Sequence, residues 1–148
     1  MKVFLAGIIQ GSLTAAEIHH QDWRVPIKRI VTEHVPEAEI HCPYSLHPNS
    51  ITYELPEIRK TLVDGIEKAA ETDVLVAYVP SASMGTAIEM YEASRNGAVV
   101  LTISPMGPNW VLRVYSDAIF ATVEEFEEFL ASGQLANLLK QRSERSTS

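Results

Sequence analysis

The stretch Asp73-Val-Leu-Val-Ala-Tyr-Val-Pro80, running on through Ser83-Met-Gly85-Thr-Ala-Ile-Glu89, decides the fold. Val74–Val79 is an unbroken apolar run, the pattern of a strand buried on both faces. Pro80 and Ser81–Ser83 make a turn, and Met84–Asn96 then reads as a helix closed by Gly97. A second apolar strand, Ala98–Ile103, follows directly. Strand, tight turn, helix and strand in that order form a βαβ unit, so the two strands run parallel.

The same alternation continues outward in both directions. On the N-terminal side, Lys2–Ala6 is another doubly buried strand, ended by Gly7. Asp22–His34 carries Trp23, Ile27, Ile30 and Val31 at helical spacing, with Pro26 tolerable only near its first turn and Pro36 as its stop. Glu39–Cys42 is a short strand candidate, and Pro43–Tyr53 reads as a loop. Pro56 opens a helix through Glu71, in which Ile58, Leu62 and Ile66 recur every four residues. On the C-terminal side come a loop at Ser104–Pro108, a short helix at Asn109–Tyr115 and a last strand at Ala118–Ala121. An acidic amphipathic helix at Val123–Leu130 and a further turn or two at Leu135–Gln141 flank Gly133. Residues 1–141 are expected to form one domain, and 142–148 a flexible tail.

Five strands alternating with helices predict a single α/β domain, a parallel sheet covered on both faces. The expected architecture is a three-layer sandwich of flavodoxin-like or Rossmann-like kind. Such folds bind ligands beyond the carboxyl ends of the strands, where strand order reverses. Three loops therefore qualify: Gly7–Ala15, Pro80–Gly85 and Ser104–Asn109.

Composition narrows the function. The 148 residues hold 12 Lys and Arg against 19 Asp and Glu, a net charge of −7, which disfavours an extended nucleic-acid partner. With 46% hydrophobic and 21% charged residues, the chain is not of disordered type. Cys42 is the single cysteine, so no internal disulfide is possible and a reducing, cytoplasmic setting is expected. No apolar run approaches the ~18–20 residues that cross a bilayer.

Glu89 is the most informative polar residue. Its neighbours at four-residue spacing are Gly85 and Ala93, so its carboxylate has space beside it. It reads equally as an acid placed near a helix N-terminus by the helix dipole. Ser83 or Thr86 can cap that helix. In the first loop, Gly7, Gln10 and Gly11 offer backbone amides to a ligand or simply turn the chain. Asp73 reads as the residue that turns helix into strand, and Asp64 as a helix residue facing solvent. His41-Cys42 is the one adjacent pair of metal-ligand types, but neighbours on a strand point to opposite faces, so no metal site is expected.

The Asp73–Pro80 strand, the Ser83–Glu89 motif and the opening Lys2-Val-Phe-Leu-Ala-Gly7 together resemble the nucleoside 2-deoxyribosyltransferase family. The resemblance runs through most of residues 1–120 and is strongest over Asp73–Ile103. It implies an enzyme without cofactor that exchanges or removes the base of a 2′-deoxynucleoside. Glu89 falls on the family's nucleophile, and Asp64, about one residue out of step, on the aspartate that moves the base's proton. Asn109 falls on an asparagine that a neighbouring subunit lends to the sugar, which implies a homo-oligomer with shared sites. Gly7, Gln10, Ser83 and Gly85 fall in the loops that would hold substrate.

Two positions depart from the family's pattern. Where transferases carry an aspartate six residues before the nucleophile, this chain has Ser83, as in the related 2′-deoxynucleoside 5′-phosphate N-hydrolases. Those hydrolases carry an arginine in the first loop, where this chain has Gln10. The implied partners are thus a small deoxynucleoside or deoxynucleotide and a free base. A hydrolase of the monophosphate is the second reading, and a nucleotide-sensing module without turnover the third.

Overall fold

The computed structural model describes residues 1–11, 13–14 and 17–148. Ser12 and Ala15, part of the first expected ligand loop, lie outside the described residues. In chain order the elements are β1 (Lys2–Gly7), α1 (Arg24–His34), β2 (Glu39–His41), α2 (Pro43–Leu46) and a 3-10 turn at Ser50–Thr52. Then follow α3 (Leu55–Ala70), β3 (Val74–Tyr78), α4 (Met84–Arg95), β4 (Val99–Ile103), α5 (Trp110–Tyr115), β5 (Ala118–Phe120), α6 (Val123–Ala131) and α7 (Gln134–Ser146). The five strands form one sheet of order β2-β1-β3-β4-β5, every neighbouring pair parallel. This is the flavodoxin-like order, with its reversal between β1 and β3.

Alternation along the strands builds two cores. Val3, Leu5, Val74, Val76, Val99 and Leu101 point to one face and meet Ile27, Ile30, Phe126 and Leu130. Phe4, Ala6, Leu75, Ala77 and Val100 point to the other and meet Ala69, Met90, Ala93 and Leu112. The small Ala6 and Ala77 let α4 lie close to the sheet behind the β1/β3 crevice.

Local chemistry fixes the helix starts. Glu54 and Glu57 form a capping box at α3, with Pro56 in its first turn. Ser83, Asn109 and Thr122 each accept a backbone N–H at the starts of α4, α5 and α6. Asp73 acts as a turn residue: its carboxylate accepts the Lys2 amide at 2.7 Å.

Two expectations change. The Pro43–Tyr53 loop contains α2 and the 3-10 turn, because Pro43 sits in the first turn of a helix, where its missing N–H costs nothing. The expected tail at 142–148 is helical through Ser146. Arg142 there holds Asp117 with two charge-assisted bonds of 3.0 and 2.9 Å, while Asp117 also accepts the Val100 amide at 2.8 Å. That anchor is polar, so the apolar periodicity gave no sign of it. No helix among the described residues is long and apolar enough to cross a membrane.

Candidate active site

A cleft of about 520 Å³ opens at the carboxyl ends of β1 and β3, where strand order reverses. Gly7, Ile9, Gln10 and Gly11 form one wall, and the start of α4, with Ser83, Gly85, Thr86 and Glu89, forms another. Ser50, Ile51 and Tyr53 close it together with Ile58, Thr61 and Leu62 of α3.

The wall from β1 is shaped by contact. Trp23, just before α1, stacks on Tyr78 with ring centroids 4.7 Å apart and planes at 22°. Its indole occupies the space that a side chain at residue 7 would need, so glycine is required there. Gly11 has φ +58°, in the left-handed region that favours glycine. Gln10 reaches the cleft between them.

On α4, Ser83 Oγ accepts the Thr86 amide at 3.4 Å and lies 2.9 Å from Thr86 Oγ1. Its hydroxyl is therefore engaged in capping. A side chain at Gly85 would meet nothing within 4 Å, so this glycine leaves the space one turn before Glu89 open. Glu89 is enclosed by protein on most sides but keeps part of its surface toward the cleft. Burial pushes its carboxyl up to about 8, and the positive charge of Arg24 only partly opposes this. Glu89 is the only charged side chain lining the cleft among the described residues.

The sequence does not single out Arg24. It is a buried cation at the start of α1, donating to Gln21 Oε1 at 2.7 Å and to Cys42 Sγ at 3.1 Å. Its guanidinium lies over the Trp23 ring at 4.2 Å and the Tyr44 ring at 5.0 Å. Burial holds it below its ordinary value, against the pull of Cys42 and Glu89. Burial alone would raise the Cys42 thiol, but hydrogen bonding with Ser45 and the charge of Arg24 bring it below its ordinary value. Arg24 lies three and seven residues before Ile27 and Val31, at the edge of the helix's apolar stripe, but that spacing names no partner, and only the tertiary packing brings Cys42 and Glu89 to it.

The structure brings together Gly7, Gln10, Ser83, Gly85 and Glu89, but not Asp64 or Asn109. On α3, Ile58, Thr61 and Leu62 face the cleft, while Asp64 lies a turn further on, in an adjoining depression with His41, His47 and Lys68. It is half-exposed and paired with Lys60 at 2.7 Å. Asn109 caps α5, its Oδ1 accepting the Val111 and Leu112 amides at 3.0 and 3.3 Å. It lines a separate hollow beyond Ser83 and Met84.

No family model matches the chain, and no curated protein does. Solved structures do. A 2-deoxyribosyltransferase from Bacillus psychrosaccharolyticus superposes with a TM-score of 0.63 at 15% identity, covering 86% of this chain and 90% of its own. A conserved protein from Enterococcus faecalis V583 gives 0.58 at 15%, covering 88% and 97%. A CMP N-glycosidase from Clostridium botulinum gives 0.52 at 21%, covering 88% and 98%. At these identities the chain is shown to share one fold, a five-stranded parallel α/β sandwich, with a 2-deoxyribosyltransferase and an N-glycosidase.

Proposed function

We propose that the protein cleaves the N-glycosidic bond of 2′-deoxynucleosides through Glu89 and passes the sugar to a second base. The observation that carries this reading is that, among the described residues lining the cleft at the sheet's reversal point, Glu89 is the one charged side chain. The names of two structural neighbours, a deoxyribosyltransferase and an N-glycosidase, support the same bond as the target.

Ionised, Glu89 attacks C1′ of the sugar as the base departs through an oxocarbenium-like transition state, leaving a glycosyl ester. A second base then takes the sugar from the opposite side, restoring the original configuration. A carboxylate poorly solvated by water is a stronger nucleophile than an exposed one, at the cost of being mostly protonated below about pH 8. The open space at Gly85 gives the sugar room beside it.

The alternative is hydrolysis of a 2′-deoxynucleoside 5′-monophosphate. The cleft argues for the free nucleoside. The resemblance gives the 5′-phosphate N-hydrolases an arginine in the first loop, whereas here the uncharged Gln10 lines the cleft, and the Ser83 hydroxyl is already engaged by Thr86. A charge-assisted contact contributes about 1.5–3 kcal/mol, so its lack is a substantial handicap for an anion.

Self-association belongs to the same reading. Trp110 is 84% exposed, Met84 81% and Val114 68%, and Ile88 and Tyr91 lie exposed on the same pair of helices, α4 and α5. Exposed apolar side chains gathered on two neighbouring helices suit a second copy of the chain, and the family resemblance implies that such a copy lends its Asn109 to the cleft.

Incubation with a 2′-deoxynucleoside or its 5′-monophosphate, each with and without a second base, tests the proposal by chromatography of the products. Base exchange on the free nucleoside is expected. Strong preference for the monophosphate with release of free base supports the hydrolase, and binding without turnover supports a sensor.

A further inference from the structure

Cleavage of a nucleoside needs a group to take C1′ and, for most bases, a group to protonate the one that leaves. Glu89 supplies the first. Among the described residues lining the cleft, the only other titratable side chain is that of Tyr53. Asp64 stands outside, engaged with Lys60.

Tyr53 is not an isolated phenol. Its hydroxyl lies 3.1 Å from His47 Nδ1, and the two rings meet edge to face at 84°. The 3-10 turn between them holds the pair: the Ser50 amide donates to the His47 carbonyl at 3.1 Å and the Tyr53 amide to the Ser50 carbonyl at 3.0 Å. The two side chains thus stand at the ends of one tight turn. Behind them, His47 faces His41 of β2 and Asp64, Glu67 and Lys68 of α3.

We propose that Tyr53 is the acid that protonates the departing base and that His47 is its positioning residue. This rests on the N-glycosidic reading given above. When His47 Nδ1–H donates to the phenol oxygen, the phenol's own proton turns away from the imidazole and toward the cleft. As the C1′–N bond breaks, its electron pair goes to the base, the Tyr53 proton moves to the base, and Glu89 forms the new C1′–O bond. The phenolate left behind keeps the hydrogen bond from His47. In the return step the C1′–O bond to Glu89 breaks, and the incoming base gives its N–H proton to the phenolate as it bonds to C1′. The same exchange serves water as acceptor, so one group acts as acid and then as base.

The experiment compares wild type, Tyr53→Phe and His47→Gln on a series of 2′-deoxynucleosides ranked by how strongly the leaving base needs a proton. Thermal melts check that the variants fold. Tyr53→Phe should slow cleavage by about 100-fold for the bases most in need of protonation, and by under about 3-fold for those least in need. His47→Gln should show the same dependence with a smaller loss, chiefly in kcat. An equal loss across the series, or no loss, overturns the role of Tyr53 as the acid. A His47→Gln enzyme with unchanged rates overturns the role of His47. Wild type that releases no base from any member would instead overturn the underlying reading.

Discussion

The indole of Trp23 fills the space that a side chain on Gly7 would occupy, so the last residue of β1 and the entry to α1 fix one another. The same indole stacks on Tyr78, the residue paired with Gly7 across the sheet. One contact thereby backs the β1 wall of the cleft. Gly7→Ala forces the ring out and is expected to destabilise the fold by about 1–3 kcal/mol, the usual range for overpacking. Thermal unfolding checks this, and adding Trp23→Leu should recover part of the loss.

Glu89 makes the fold's stability depend on pH. Its carboxyl sits at about 8 when folded and near 4.5 when free, so the folded chain holds a proton that the unfolded chain has released between those values. Its contribution is fully present below pH 4.5 and is lost as the pH rises to about 8. Glu89→Gln keeps the shape without the titration. Its melting temperature should match wild type near pH 4.5 and exceed it by several degrees at pH 8, since about 1 kcal/mol moves a domain of this size by about 2–4 °C. Melts at both pH values read the difference directly.

Arg24 is the positive charge acting on Glu89, and it lowers the pH at which that carboxyl ionises. Arg24→Met should therefore shift the rising limb of the pH–rate profile to higher pH, by about half a unit or more. Arg24→Lys keeps a charge and should shift it less. Rates measured from pH 5 to 9 distinguish the three proteins.

How much of this was legible in the sequence follows from what periodicity can carry. Val74–Tyr78 and Val99–Ile103 are apolar because both faces are covered, and that pattern gave the parallel sheet. Gly85 and Glu89 share a helix stripe by spacing alone, and the fold turns that stripe toward the cleft. Arg24 reaches Glu89's surroundings from another helix, and Arg142 reaches Asp117 across 25 residues; neither relation leaves a local trace. Asp64 shows the limit of spacing from the other side. It lies on the helix that borders the cleft, but a turn beyond the part that faces it.

The exposed apolar face on α4 and α5 predicts that the 16.4 kDa chain is not a monomer in solution. Trp110→Glu places a charge at its most exposed point and should dissociate the assembly, with activity falling if Asn109 serves a neighbour's cleft. Light scattering gives the mass of each. A wild-type monomer would remove the argument for shared sites.

In the proposed reaction Glu89 becomes bonded to the sugar. A 2′-fluorinated deoxynucleoside analogue, whose glycosyl ester breaks down slowly, should add the mass of one fluorinated sugar to the intact protein. Peptide mapping should place it on Glu89, and Glu89→Ala should show no adduct and release base at least ~1,000-fold more slowly. An adduct on another residue, or near-normal base release by Glu89→Ala, would contradict the account.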